Sequence, residues 1–170
     1  MKKLLVLLFV GFGAVARAQA PDPDTTARHF LIMASIGNLQ EINAGKAASQ
    51  KATQSDIKSF GQMMVSDHRD AEKQLLQLAK SRNIQLPEAA TGTPPEDLNL
   101  KKATGEDFDR MYVHAMVSGH ASTVMMFQNY AITGKDPMVK AWAQQMLPTL
   151  KGHLDAIKKL DEKYKNLAAK

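Results

Sequence analysis

The sequence predicts an all-α protein, a four-helix bundle with one long connection between its second and third helices. Four segments repeat apolar residues at alternating spacings of three and four, the period of one helix face. Each segment is bounded by capping or breaking residues. No segment alternates apolar and polar residues in the manner of a half-buried strand.

The first helix is expected from about Thr26 to Ser49, with Phe30, Ala34, Gly37, Glu41, Ala44 and Ala48 along one face. Thr53 and Asp56 have the spacing of a capping box. They open a second helix whose face runs Ile57, Phe60, Met64, His68, Ala71, Leu75 and Leu78, ending near Asn83. Residues 84–104 contain Pro87, Gly92, Pro94 and Pro95 and read as a connection, with one helical turn near Leu98–Ala103. Roughly 20 residues at up to ~3.3 Å each are enough to return the chain along the full height of a bundle. That favours a ferritin-like arrangement with one crossover over a simple up-and-down bundle. Thr104 and Asp107 suggest a second cap, and the third helix carries Val113, Met116, His120, Val124, Phe127 and Ala131 as far as about Ile132. Gly134 supplies a stop, and Asp136-Pro137 is an N-cap followed by proline in the first helical position. The fourth helix aligns Val139, Trp142, Met146, Leu150, His153, Ile157, Leu160 and Tyr164. Pro148 within it is expected to kink it.

The first residues read as a targeting segment rather than structure. Met1-Lys2-Lys3 is basic, Leu4 to Val15 is almost wholly apolar, and Ala16-Arg17-Ala18 has the small residues of a cleavage site. The apolar run is too short to span a bilayer. Residues 1–18 are therefore expected to be a signal peptide, 19–25 a flexible leader, and 26–168 one four-helix domain. Cleavage would remove Lys2, Lys3, Arg17 and no acid, lowering the net charge from +5 to +2. Much of the basicity thus lies in the discarded segment, which argues against a nucleic-acid partner. No second long apolar run follows, so no transmembrane segment is expected after cleavage. The expected location is the periplasm or the exterior, with partners among envelope proteins. Cysteine is absent, which excludes disulfides, thiolate metal sites, Fe–S clusters and covalently held c-type haem.

Four polar residues occupy face positions where packing would prefer leucine: Glu41, His68, His120 and His153, one per helix. Counted from the turns at 1.5 Å per residue, Glu41 and His68 differ in height by ~9 Å, and His120 and His153 by ~6 Å. All four fall in the middle third of their helices. Imidazole and carboxylate are the usual ligands of Zn, Fe, Mn or Cu ions, and four helices projecting them inward make a cage for one transition metal. The alternative is a metal-free interaction or structural module whose core histidines are satisfied by internal hydrogen bonds. The carboxylate-bridged di-iron pattern is absent, because no Glu-x-x-His occurs and Glu41 is the only glutamate on any helix face.

Nine methionines lie beyond the leader, and Met64-Val65-Ser66-Asp67-His68 nearly repeats as Met116-Val117-Ser118-Gly119-His120. Met and His four apart share a face, and thioether with imidazole suits copper. Methionine is equally a flexible core filler. His29 and His114 read as peripheral. Asp67 and Asp155, each next to or near a face histidine, read as solvated positions or as partners of the rings. No nucleophile–base pair, phosphate loop or nucleotide fingerprint is visible, and no catalytic residue is assigned.

The blocks Gly37-Asn38-Leu39-x-Glu41, Phe60-x-x-Met63-Met64-x-x-Asp67-His68, Tyr112-x-x-x-Met116-x-x-x-His120 and Leu147-Pro148-x-Leu150-x-x-His153-Leu154 occur in that order. Together they resemble the exported bacterial family catalogued as domain of unknown function 4142, over about residues 26–165. The resemblance implies a ferritin-like bundle and an envelope location, and it implies no reaction. Metal handling or protection from envelope or oxidative stress is the role that such a centre would serve.

Overall fold

A computed structural model describes residues 25–92 and 98–168. The expected signal peptide, and all of the leader but its last residue, lie outside the described residues. So do Pro94 and Pro95. Five α-helices follow in order: α1 (Thr25–Lys51), α2 (Ser55–Ser81), α3 (Leu98–Lys102), α4 (Gly105–Thr133) and α5 (Pro137–Ala168), with a 3-10 turn at Glu88–Ala90. Among the described residues there is no strand.

The apolar residues form two clusters, one toward each end of the bundle. Phe30, Leu31, Leu75, Phe127, Trp142 and Leu150 belong to the first, and Ile57, Phe60, Met64, Phe108, Tyr112 and Ile157 to the second. Cluster membership gives the helix directions. α2 passes from the second cluster at Ile57 to the first at Leu75, and α4 makes the same passage from Phe108 to Val124 and Phe127. These two helices are therefore parallel, and the end of α2 and the start of α4 lie toward opposite ends of the bundle. α1 and α5 run the other way. Contacts join α1 to α2, α4 to α5, α1 to α4 and α2 to α5, which closes a ring of four long helices. This is the expected four-helix bundle with one crossover.

The α1–α2 pair is closed by glycine. A Cβ at Gly45 would lie 2.6 Å from the Gly61 carbonyl oxygen, and one at Gly61 would lie 2.8 Å from Ala48 Cβ. Hydrogen alone lets the two backbones approach this closely. At Gly105 the demand is conformational, since φ is +62° where the chain turns into α4.

Two expected side-chain caps do not form, and one of them is replaced by a longer-range partner. Gln54, not Thr53, is the N-cap of α2, and it makes no side-chain capping bond. Instead Asp109, buried on α4, accepts from the amides of Thr53 and Gln54 and from the Thr53 hydroxyl. A carboxylate held in place by the bundle satisfies more donors than a hydroxyl could, and it ties the α1–α2 turn to α4. Thr104 likewise makes no side-chain cap, and Asp107 pairs with Arg110. Asp136 does cap α5 as expected, accepting from the amides of Met138 and Val139, and it also receives Arg82 Nε at 2.7 Å. α5 remains helical on both sides of Pro148.

Candidate metal centre

Between the two apolar clusters lies a polar layer. On α2 it falls between Met64 and Leu75, on α4 between Met116 and Val124, and on α5 between Leu150 and Ile157. His68, His120 and His153 occupy these positions and are 4, 1 and 5% exposed. Their ring centroids are 5.8, 5.5 and 5.5 Å apart, and one nitrogen from each lies within 4.8 Å of the other two. The ~6 Å height difference expected for His120 and His153 is closed.

Each ring is held by one nitrogen. His68 Nδ1 is 2.9 Å from Asn38 Oδ1, His120 Nδ1 is 3.0 Å from the Met116 carbonyl oxygen, and His153 Nε2 is 2.9 Å from Asp67 Oδ2. All three partners are acceptors, so each of these nitrogens carries the proton and donates it. The remaining nitrogens, His68 Nε2, His120 Nε2 and His153 Nδ1, are therefore lone-pair acceptors. They are buried and no protein group donates to them. Orientation of a ring by a carbonyl or carboxylate at its far nitrogen is the usual support of a metal-binding histidine.

Burial favours the neutral rings. The His68 imidazole is pushed down to about 3 by burial and by the neighbouring His120 and His153. His120 is pushed down to about 4 by burial and by His153, against the opposing effect of its bond to Met116. Both rings keep their lone pairs at neutral pH, and buried nitrogens without a protein donor are costly. A cation is the kind of group that would satisfy them together. Metal–imidazole bonds near ~2.1 Å require nitrogens about 3.5 Å apart, so rings at the present spacing would close by about 1 Å onto an ion.

Glu41 reaches this layer from a different side. Its Oε1 is 3.7 Å from His120 Nδ1, the nitrogen already donated to Met116. It is not part of the close group of three, and its Oε2 is buried without a partner. Burial pushes the Glu41 carboxyl up to about 8. The height difference from His68 expected for Glu41 has a counterpart here: Asn38, one turn nearer the start of α1, is the residue that faces His68.

Asn38 is the residue that sequence reasoning did not place at the centre, while of the two readings open for Asp67 the structure shows the ring partner. Asn38 Nδ2 donates to Glu72 Oε2 at 3.0 Å, and Ser35 Oγ lies 2.5 Å from Glu72 Oε1 while also contacting the Ala90 carbonyl oxygen. Ser35 has one proton for two acceptors, which favours a protonated Glu72. Burial indeed raises the Glu72 carboxyl above its ordinary value, against the lowering effect of Ser35 and Asn38. Asp67 adjoins His68 in sequence but bonds His153 on another helix. Asp155 is exposed, as are His29 and His114. Met64 and Met116 are buried in the second apolar cluster.

A family model described as a domain of unknown function, DUF4142, matches residues 13–160. No curated protein matches. Among solved structures, CopM in its Cu(II)-bound form superposes with a TM-score of 0.68 at 17% identity, covering 81% of this chain and 97% of that one. CopM in its Cu(I)-bound form gives 0.66 at 18%, covering 81% and 96%. A DUF305 fragment from Deinococcus radiodurans gives 0.70 at 14%, covering 84% and 99%. At these identities the likeness is one of fold. No described helix is long and apolar enough to cross a membrane.

Proposed function

The chain belongs to the DUF4142 family, and from that premise we propose that His68, His120 and His153 bind one transition-metal ion in an exported metal-handling protein. The carrying observation is the convergence of three rings whose outer nitrogens are engaged and whose inner ones have no donor. A bound ion would supply the positive charge that three unpaired lone pairs lack, and the chain's part is to orient and bury the rings.

Copper is the ion we favour. Three imidazoles without a thiolate or carboxylate in the close group suit copper or zinc better than the harder Mn or Mg ions. Support for copper over zinc comes from the likeness of fold to CopM, which has been solved with Cu(I) and Cu(II). The basic, apolar, small-residue order of residues 1–18 supports action outside the cytoplasm. The reading is one of metal binding, and no reaction is assigned.

The test is metal content after loading with Cu(I), Cu(II) or Zn(II) and desalting, for the wild type and for H68A/H153A. One equivalent in the wild type and none in the double variant is expected. Wild-type protein that returns metal-free from every loading would overturn the proposal and favour the metal-free module with hydrogen-bonded core histidines.

A further inference from the structure

A centre this deeply buried needs a way in. A groove of about 810 Å³ runs between α1 and α4, and its lining includes Gln40, Glu41 and Asn43 on one side and Met116 and Gly119 on the other. Two of these residues touch the histidine layer. The Met116 carbonyl oxygen holds His120 Nδ1, and Glu41 Oε1 lies 3.7 Å from the same nitrogen. We propose that this groove is the port through which a metal ion reaches the three histidines, with the Glu41 carboxyl, which loses its proton to solvent as the cation arrives, as its transient ligand. The inference rests on the metal-binding reading and adds a route to it.

Two features of Glu41 fit a transit position better than a structural one. Its Oε2 has no hydrogen-bond partner although it is buried. An acceptor kept in that state costs stability unless something else uses it. Opposite it stands Gly119. A Cβ there would lie 3.4 Å from Glu41 Oε1 and would meet no other atom within 4 Å. No steric clash demands glycine at this point of α4, and glycine weakens a helix interior. Its effect is to leave the carboxyl uncovered on the groove side. Three lysines also line the groove, Lys46 and Lys51 on α1 and Lys101 on α3. Lys51, ten residues beyond Glu41 and so about 15 Å along the axis, directs its Nζ to the Lys101 carbonyl oxygen at 2.5 Å. The competing approach is past Asp67, whose side chain is 38% exposed beside His153.

The experiment is stopped-flow uptake of Cu(II) by the metal-free protein, with final stoichiometry measured on the same samples. E41Q is nearly isosteric, and G119L covers the carboxyl without adding charge. Both are expected to take up one equivalent, as the wild type does, at a rate slower by about tenfold, the factor carried by one lost charge-assisted contact. Wild-type rates in both variants would overturn the port. So would slowing confined to D67N, which would move the route to the α2–α5 side. Loss of stoichiometry in E41Q alone would make Glu41 a resident ligand and also overturn the transit role. Absence of uptake by the wild type would instead refute the binding reading on which the port depends. A circular dichroism melt of G119L confirms that it folds, and E41Q carries the test if it does not.

Discussion

Two layers of the same core place aromatic rings at similar distances and use them differently. Toward one end, Phe30 stacks on Tyr130 at 4.2 Å, meets Phe127 edge-on at 4.9 Å, and Phe127 lies 5.5 Å from Trp142. In the middle, three imidazoles sit 5.5–5.8 Å apart. The first layer gains from burial and from ring edges meeting ring faces. The second buries rings of similar shape but leaves one nitrogen on each without a protein partner. Burial and ring packing stabilise the aromatic layer. The histidine layer is held open by hydrogen bonds from outside it, and its interior has no protein donor.

The largest effect expected from this difference is on stability without metal. F30A removes a ring from the aromatic layer and should cost about 3–5 kcal/mol in urea unfolding. H120L at equal depth should leave stability in chelator unchanged or raise it, because it replaces an unsatisfied buried acceptor with an apolar group. Where folded, F30A should still bind metal and H120L should not. An H120L protein as destabilised as F30A would show that the imidazole layer is a satisfied part of the core, and the contrast would collapse.

The helices, their directions and the three histidines were legible in the sequence because they depend on period and spacing. A leucine position occupied by histidine on three helices at similar heights is a strong local signal. The ring partners were not legible in the same way. Asn38 falls beside the face that Phe30, Ala34 and Glu41 define, and its role depends on how α1 is rotated against α2. Asp67 has the spacing of a solvated residue on α2, and only the position of α5 turns it into the partner of His153. The capping of the α1–α2 turn by Asp109 was hidden for the same reason, since 56 residues separate it from Thr53. Local rules describe what a helix can present, and tertiary rotation decides which neighbour receives it.

A smaller effect separates the layers by pH. His68 and His120 are held at about 3 and 4, below the ordinary 6.5. The unfolded chain therefore binds more protons in that range, and the stability of the metal-free protein should fall as pH drops from about 6.5 toward 4. Glu41 is raised from 4.5 to about 8. Its contribution has the opposite sign, present in full below 4.5 and lost as pH rises toward 8. Metal-free stability should thus pass through a maximum between these limits. H120L should flatten the acid side and E41Q the alkaline side, read from urea midpoints in chelator, while F30A should lower the whole curve without changing its shape. An alkaline side untouched by E41Q would mean that its carboxyl is not held neutral by burial.

The smallest change expected to be measurable concerns how tightly the rings are held. Asp67 Oδ2 accepts from His153 Nε2 at 2.9 Å, and this bond fixes which nitrogen of His153 faces inward. Removing such a partner from a metal-binding histidine lowers affinity by roughly 10–100-fold. Asp67 is the more exposed of the two side-chain partners, and water can take its place at His153 Nε2, so D67N should fall near the tenfold end in a chelator-competition titration. Asn38 is buried, and no solvent can substitute for it at His68 Nδ1, so N38A should lose more. If both variants bind as tightly as the wild type, the outer hydrogen bonds serve only to pack the bundle. The orientation of the three inward lone pairs would then owe nothing to the partners at their far nitrogens.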